Sequence, residues 1–551
     1  MQRTGGKSIL VRLYSSMKVK IPVKQGIVVG QQQKLPSGLE YNSFLGVPYA
    51  EPPVGNLRFR SPVPQERFEE HELDCSKERD VSHQRDPFTT EVAGFENCLF
   101  LNVYAPKGKR SSSPLPVMVW IHGGGFFFGN GNSDFHFPAK LMEQDVIVVT
   151  LNYRLGALGF LSLPEEGIHG NMGLKDQRMA LQWLQENIAS FNGDPNNVTL
   201  FGESAGGASV HLHTYSRHAN KLFHKAIMQS GTDNMEWAFQ PNAVFKTRRL
   251  AELLGGGDFG SNTKTLLEFL QSEKVKPTGI LANTMKVLTA DERRRHLPFV
   301  FKPVVEEASS PDSFIDQNIL DLMHKRDHVG KMPMIMGYNS AEGLAMIVRA
   351  KTKLEDYEQA LARTVPRNLV PDRQAPEAQE AAADIRNFYF DGQALTKKHL
   401  DLFSDYHFSM DLQIHANCQT QSPLYFYRLD YVGGRNLYKT IFQNENLRGV
   451  AHADDICYLF QMAGDDSPMQ KEDALVSERI CQMWANFARH GKPPDSWKPV
   501  QKALPGQPLQ LDCLLIDREC KMQKNPDADR MDFWRSMYKR YSPQCSVMAK
   551  L

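Results

Sequence analysis

An α/β fold built on a mostly parallel sheet is what this sequence predicts, and two observations predict it. First, near-continuous apolar runs of strand length recur through the first half: VMVWI (117–121), VIVVTLNY (146–153), VTLF (198–201) and AIMQS (226–230). Strands covered on both faces read this way, because neither face meets water. Second, a helix with one core face lies between two of these runs. In GLKDQRMALQWLQENIASF the residues Leu174, Leu181, Leu184, Ile188 and Phe191 recur at spacings of three, four and seven, which brings them to one side of a helix. Strand, helix and strand in succession make a right-handed crossover between parallel strands.

The remaining elements follow in order. FNGDPNN ends the first helix. The middle of the chain, about 240–330 and 350–420, is more helical and more polar. Further strands are predicted at PMIMG (333–337) and LYFYRLDY (424–431). ALVSERICQMWANFARHG is a helix closing at Gly491, with His490 in its last turn. The tail adds a short strand, CLLID, and a helix, ADRMDFWRSMYKRY. The 551 residues could hold several domains. No internal repeat and no Pro/Ser linker divides them, so the reading is a basic N-terminal lead-in (1–19) before one large domain (20–545) with helical insertions.

Composition narrows the function classes. The formal charge is +1, from 64 basic and 63 acidic residues, so no nucleic acid or other polyanion is expected as the main partner. The longest apolar runs are strand-sized and none approaches a membrane span. The lead-in MQRTGGKSILVRLYSSMKVK has no secretory apolar core, since Arg12 interrupts SILV. An intracellular, cytoplasmic protein is the expectation. Two alternatives rest on short signals: the basic lead-in resembles a mitochondrial presequence, and Ala549-Lys550-Leu551 is close to the peroxisomal Ser-Lys-Leu. Eight cysteines with no CxxC pair do not make a disulfide scaffold.

The chemistry centres on VTLFGESAGGASV. A strand leads into Ser204, which sits between Gly202 and Gly206 with Ala205 alongside. Gly-x-Ser-x-Gly between a strand and a helix makes a sharp elbow that projects a serine hydroxyl. A Cβ at either glycine would strike the adjoining strand or helix. Upstream, VMVWIHGGGFFFG places three glycines at a strand end. Bare backbone there can bring N–H groups against a developing oxyanion. A serine hydroxyl needs a base, oriented by an acid, and the order for this elbow is serine, acid, histidine. Seventeen histidines compete. His452, in RGVAHADDICYLF, is the best placed, and Glu342, in MIMGYNSAEGLAM, is a candidate acid, though a solvated loop glutamate reads the same way.

At this point the chain resembles the type-B carboxylesterase/cholinesterase family of the α/β-hydrolase fold, and the insect α-esterase branch most of all. The resemblance runs from about 20 to about 540. It rests on YNSFLGVPYAEPPVGNLRF, ENCLFLNVYAP, HGGGFFFGN, LNYRLGALGFLS, the elbow with its preceding helix, MQSG, GYNSAEG and GVAHADD. It implies a large central twisted sheet flanked by helices, with helical insertions forming a substrate gorge. It implies Ser204 as nucleophile, Glu342 as acid, His452 as base, and Gly124, Gly125 and Ala205 as oxyanion donors. Glu203 and Ser230 match polar groups that support the histidine, and Arg58 with Glu96 matches a structural ion pair. No metal or cofactor is implied. The partners implied are small-molecule esters and, as inhibitors, organophosphates; the resemblance leaves oligomeric state open.

Departures shape the substrate expectation. No tryptophan stands between Cys75 and Cys98 to hold a choline group by cation–π attraction. The elbow reads GESAG, whereas juvenile-hormone esterases usually read GQSAG. Phe126 and Trp237 are candidate pocket residues. Secreted members bridge the cysteines matching Cys75 and Cys98; in a reducing compartment the two are expected as free thiols. Gly125 is still glycine, where some insect relatives carry an acidic residue and hydrolyse organophosphates. The expected function is hydrolysis of small to medium apolar carboxyl esters, xenobiotic or lipid-derived, through an acyl-enzyme. The alternatives are a slow-turnover protein that sequesters toxicants and a non-catalytic binding homologue.

Overall fold

The computed structural model describes residues 17–86, 89–107, 113–293, 299–308, 310–319, 321–322, 332–345, 361–372, 374–390, 396–418, 422–441, 447–462, 469–501 and 510–542. Nearly all of the basic lead-in and the whole of Ala549-Lys550-Leu551 lie outside the described residues. So do stretches of the expected gorge-forming insertions, 346–360 and 391–395 among them.

Thirteen strands pair into one sheet among the described residues. In chain order they are β1 (Lys18–Val23), β2 (Gly26–Lys34), β3 (Glu40–Pro48), β4 (Glu72–Asp74), β7 (Phe100–Pro106), β8 (Leu115–Ile121), β9 (Ile147–Leu151), β10 (Gly193–Glu203), β11 (Lys225–Gln229), β12 (Met334–Asn339), β13 (Leu424–Leu429), β14 (Asp512–Ile516) and β15 (Lys521–Lys524). Two further short strands, β5 (Gln84–Arg85) and β6 (Val92–Ala93), pair with each other. Across the sheet the order is β1-β2-β3-β7-β9-β8-β10-β11-β12-β13-β14-β15, with β4 beside β2. Every pairing from β9 to β14 is parallel. Along the margins the successive pairings are antiparallel, β1 to β9 on one side and β14 with β15 on the other, while β4 joins β2 in parallel.

The apolar runs form the central strands because both faces are covered. Along β8, Val117, Val119 and Ile121 enter one core while Met118 and Trp120 enter the other. The helix Met172–Asn187 covers the first face, and Leu174, Leu181 and Leu184 are all buried there. The helix Lys471–His490 covers the second with Trp484 and Phe487. It ends where the sequence predicts. Gly491 takes φ 70° and donates its N–H to Phe487 O at 2.8 Å, a left-handed cap that glycine adopts without a Cβ penalty. The strand predicted at 198–201 is longer than expected. It begins at Gly193, paired to Leu115, and the register shifts before Val198.

One topological feature positions the site. The chain lays β9 on one side of β8 and then β10 on the other, so the winding reverses at β8. Open α/β sheets bind ligands outside the carboxyl ends of strands at such a point. The segments leaving β8, β10, β11 and β12 there are His122-Gly123-Gly124-Gly125, Ser204, Ser230 and the turn with Glu342.

Candidate active site

Ser204 occupies the turn between β10 and the helix Ala205–Tyr215, at φ 56° and ψ −122°. This conformation is strained for a residue with a Cβ. Neighbouring strands hold it: Ser204 N–H donates to Gln229 O on β11 at 2.8 Å. The flanking glycines are steric necessities. A Cβ on Gly202 would stand 2.6 Å from Gly206 C, and one on Gly206 would strike Ile121 O of β8. The elbow is therefore wedged between β8 and β11.

The structure brings the three separated residues into one line. His452 Nε2 lies 2.9 Å from Ser204 Oγ, and Nδ1 lies 2.7 Å from Glu342 Oε2. Glu342 is fully buried and is not the solvated loop residue its sequence context allows. Its Oε1 accepts from Ser230 Oγ at 2.5 Å and from Asn339 N–H at 2.7 Å. Fixed in this way, it accepts the Nδ1 proton and leaves Nε2 free to accept from the serine. Phe408 covers the imidazole, with ring centroids 4.4 Å apart.

Glu203 reaches the same histidine from the serine side, Oε1 at 3.2 Å from Nε2. Burial pushes its carboxyl up, and the nearby imidazole pulls it back down. Burial alone would depress His452, but the charges of Glu203 and Glu342 outweigh it and raise the imidazole above its usual value.

The glycine segment faces Ser204. A Cβ on Gly123 would stand 2.8 Å from Glu203 O and 3.1 Å from Ser204 Cβ. Gly124 and Gly125 take φ 103° and 63°. The N–H groups of Gly124, Gly125 and Ala205 have no intramolecular acceptor among the described residues. Three side chains brace the segment. His122 Nδ1–H donates to Gly123 O at 2.8 Å and its ring stacks on Tyr153. Gln84 clasps Gly129 through both backbone groups, at 2.7 and 2.8 Å.

The two pocket candidates, Phe126 and Trp237, are both buried. Phe126 is wholly inaccessible: its backbone turns at φ 62° and its ring packs edge-on against Phe160. Trp237 is also buried. Its Nε1–H donates to His407 O at 2.9 Å and its ring packs on Phe408, so it stands one layer behind the residue that covers His452. Cys75 and Cys98 are buried free thiols, each pushed up to about 12 by burial. Arg58 and Glu96 form a bidentate pair at 2.5 and 2.7 Å with no contact to the triad.

Sequence reasoning missed Phe408, Asn339 and Asp455. Asp455 binds Gln229 Nε2 at 2.7 Å and Asn339 Nδ2 at 3.2 Å beneath the histidine loop. It lies inside GVAHADD, so the signal was present. Phe408 lies on a polar helical stretch, DYHFS, with no distinguishing pattern.

A serine hydroxyl in line with a histidine and a buried glutamate is an arrangement that can carry out acyl transfer. Comparison with known proteins places the chain in a family. The family model described as Carboxylesterase family matches residues 17–534. The juvenile hormone esterase of Tribolium castaneum is 33% identical over 517 residues, covering 89% of this chain and 86% of that protein. Esterase B1 of Culex pipiens is 32% identical over 546 residues, covering 94% and 98%. Esterase E4 of Myzus persicae is 32% identical over 520 residues, covering 88% and 89%.

Proposed function

Because this chain belongs to the carboxylesterase family and is thus a carboxylic ester hydrolase, we propose that it acts as a serine esterase through Ser204, His452 and Glu342. The supporting observation is the unbroken line from Ser204 Oγ through the imidazole to Glu342, at 2.9 and 2.7 Å. His452 Nε2 takes the hydroxyl proton as Oγ attacks the ester carbonyl. The carbonyl oxygen gains charge and is held by the N–H groups of Gly124, Gly125 and Ala205; losing one such donor typically costs about 100- to 1,000-fold in rate. The tetrahedral adduct collapses, the alcohol leaves with the proton from His452, and the acyl group stays on Oγ. Water then repeats the sequence and releases the acid. Glu342 keeps the Nδ1 proton in place and stabilises the imidazolium.

The proposed substrates are small to medium apolar carboxyl esters, including xenobiotic or lipid-derived ones. The relatives do not select among them. Proteins named juvenile hormone esterase, acetylcholinesterase and pyrethroid hydrolase stand at 33%, 32% and 30% identity. The absence of a tryptophan between Cys75 and Cys98 disfavours choline esters. Organophosphates are proposed to phosphorylate Ser204 and to leave slowly.

The test is hydrolysis of naphthyl and nitrophenyl acetate and butyrate by wild type and Ser204→Ala, with active sites titrated by an organophosphate. Turnover well above one per site, lost in the variant, is expected. One equivalent released and then no turnover would replace the esterase reading with sequestration. Folded wild-type protein that neither turns over nor labels at Ser204 would overturn the triad.

A further inference from the structure

Behind the nucleophile, three buried side chains from three separate elements converge. His211 lies on the helix Ala205–Tyr215, Asp233 follows β11, and His415 lies on the helix Met410–Cys418. Asp233 Oδ1 is 3.0 Å from His211 Nδ1 and 2.9 Å from His415 Nε2. The two rings meet edge to face with centroids 4.4 Å apart, and all three residues are buried. At such separations a His–Asp pair is ordinarily a hydrogen bond. Here the ring geometry misses that alignment. His211 Nδ1, His415 Nε2 and both oxygens of Asp233 have no hydrogen-bond partner. Asp233 Oδ2 has no partner at all and Oδ1 meets only these two poorly aligned imidazoles, which is costly for a buried carboxylate.

The same atoms suit a cation. Zinc holds imidazole nitrogen and carboxylate oxygen at about 2.0–2.2 Å in tetrahedral array, so its adjacent ligand atoms stand roughly 3.3–3.6 Å apart. The three ligand atoms here lie within 4.8 Å of one another, and the two Asp233 separations, 3.0 and 2.9 Å, need to open by only a few tenths of an ångström. There is also a way in. A cavity of about 700 Å3 has Asp233 in its lining.

We propose that His211, Asp233 and His415 form a binding site for one divalent transition-metal ion, zinc being the ion this ligand set suits best. Its role is structural. It joins the helix that begins beside Ser204 to the helix that follows Phe408, the residue covering His452. No step of ester hydrolysis passes through it.

The test uses the full-length protein. Wild type is stripped with a chelator and titrated with Co2+, followed by visible absorption, and separately with Zn2+, followed by elemental analysis after gel filtration. One retained equivalent per chain is expected, with a rise in thermal midpoint on adding Zn2+. Asp233→Asn and His415→Gln should each weaken uptake by at least about 10-fold, while their folding is checked by organophosphate labelling of Ser204. Ser204→Ala should bind metal as wild type does, which separates this proposal from the esterase reading. No saturable Co2+ signal in wild type, or equal uptake by the two ligand variants, would overturn the site and leave a buried His–Asp–His cluster.

Discussion

At the residue scale the triad depends on charges placed around one imidazole. Ser204 was legible because its constraint is steric and leaves glycines in the sequence. Glu342 is legible as the acid only through the family resemblance: alone, a glutamate before a glycine reads as a surface loop, and the fold buries it under Ser230 and Asn339. Glu203 gives a prediction with a definite sign. Its charge helps to raise His452 above its usual value, and the imidazole is a base only when it has lost its proton. Glu203→Gln removes that support, so the proton leaves at lower pH. The acid limb of kcat/KM should move down by about 1–3 pH units, while kcat falls because the imidazolium formed in the transition state loses a neighbouring anion. An acid limb that stays put would mean Glu203 carries no charge against the histidine. Gly125 gives a second. A Cβ there meets the Phe299 ring, and φ is 63°. Gly125→Asp must displace Phe299 and disturb one oxyanion donor, so aryl-ester kcat should fall by about 100-fold or more. Dephosphorylation of Ser204 should quicken, because the carboxylate can direct water at the phosphoryl group. Unchanged aryl-ester turnover would show that the Gly125 N–H is not a donor.

At the element scale the site is a meeting of strand ends held apart by glycine. The central strands were legible because each is apolar on both faces. The margins were not: β1 alternates exposed and half-buried residues, and β15, KMQK, is exposed throughout, so neither leaves an apolar run. Phe126 was misread for a related reason. Three phenylalanines in a row give no period, and the positive φ that turns Phe126 into the core is invisible in the sequence. The elbow is where element packing and chemistry are inseparable. In Gly206→Ala the new methyl strikes Ile121 O on β8, a backbone atom fixed by pairing with β9 and β10. The helix or the strand has to shift. A loss of about 1–3 kcal/mol in denaturant stability is expected, together with a fall in kcat as Ser204 Oγ moves away from His452. Wild-type stability and turnover in this variant would refute the steric account of both glycines.

At the scale of the whole molecule, two buried ion pairs fasten loops to the sheet and helices away from the triad, and their difference in burial predicts a difference in cost. Arg154 binds Asp176 through Nε at 2.8 Å and its terminal nitrogen at 2.6 Å, and Asp176 also takes the Arg154 backbone N–H at 3.0 Å. Asp176 is wholly buried. Asp176→Asn leaves a guanidinium in the interior without its counter-charge, and breaking such a pair typically costs about 3–5 kcal/mol. Arg58 keeps two other acceptors when Glu96 is changed, Leu270 O at 3.1 Å and Val275 O at 2.9 Å, and the Glu96 side chain is 12% exposed to water. Glu96→Gln should therefore cost only about 1.5–3 kcal/mol, the range for one hydrogen bond to a charged group. Denaturant midpoints of the two variants should fall in that order. Turnover per titrated serine should match wild type in both, since neither pair touches Ser204, His452 or Glu342. If Glu96→Gln lowers turnover per site while its midpoint holds, the Arg58 pair acts on the chemistry and is not purely structural. If Asp176→Asn proves the milder change, solvent reaches that pair and the packing of the first helix against the sheet is looser than its burial implies.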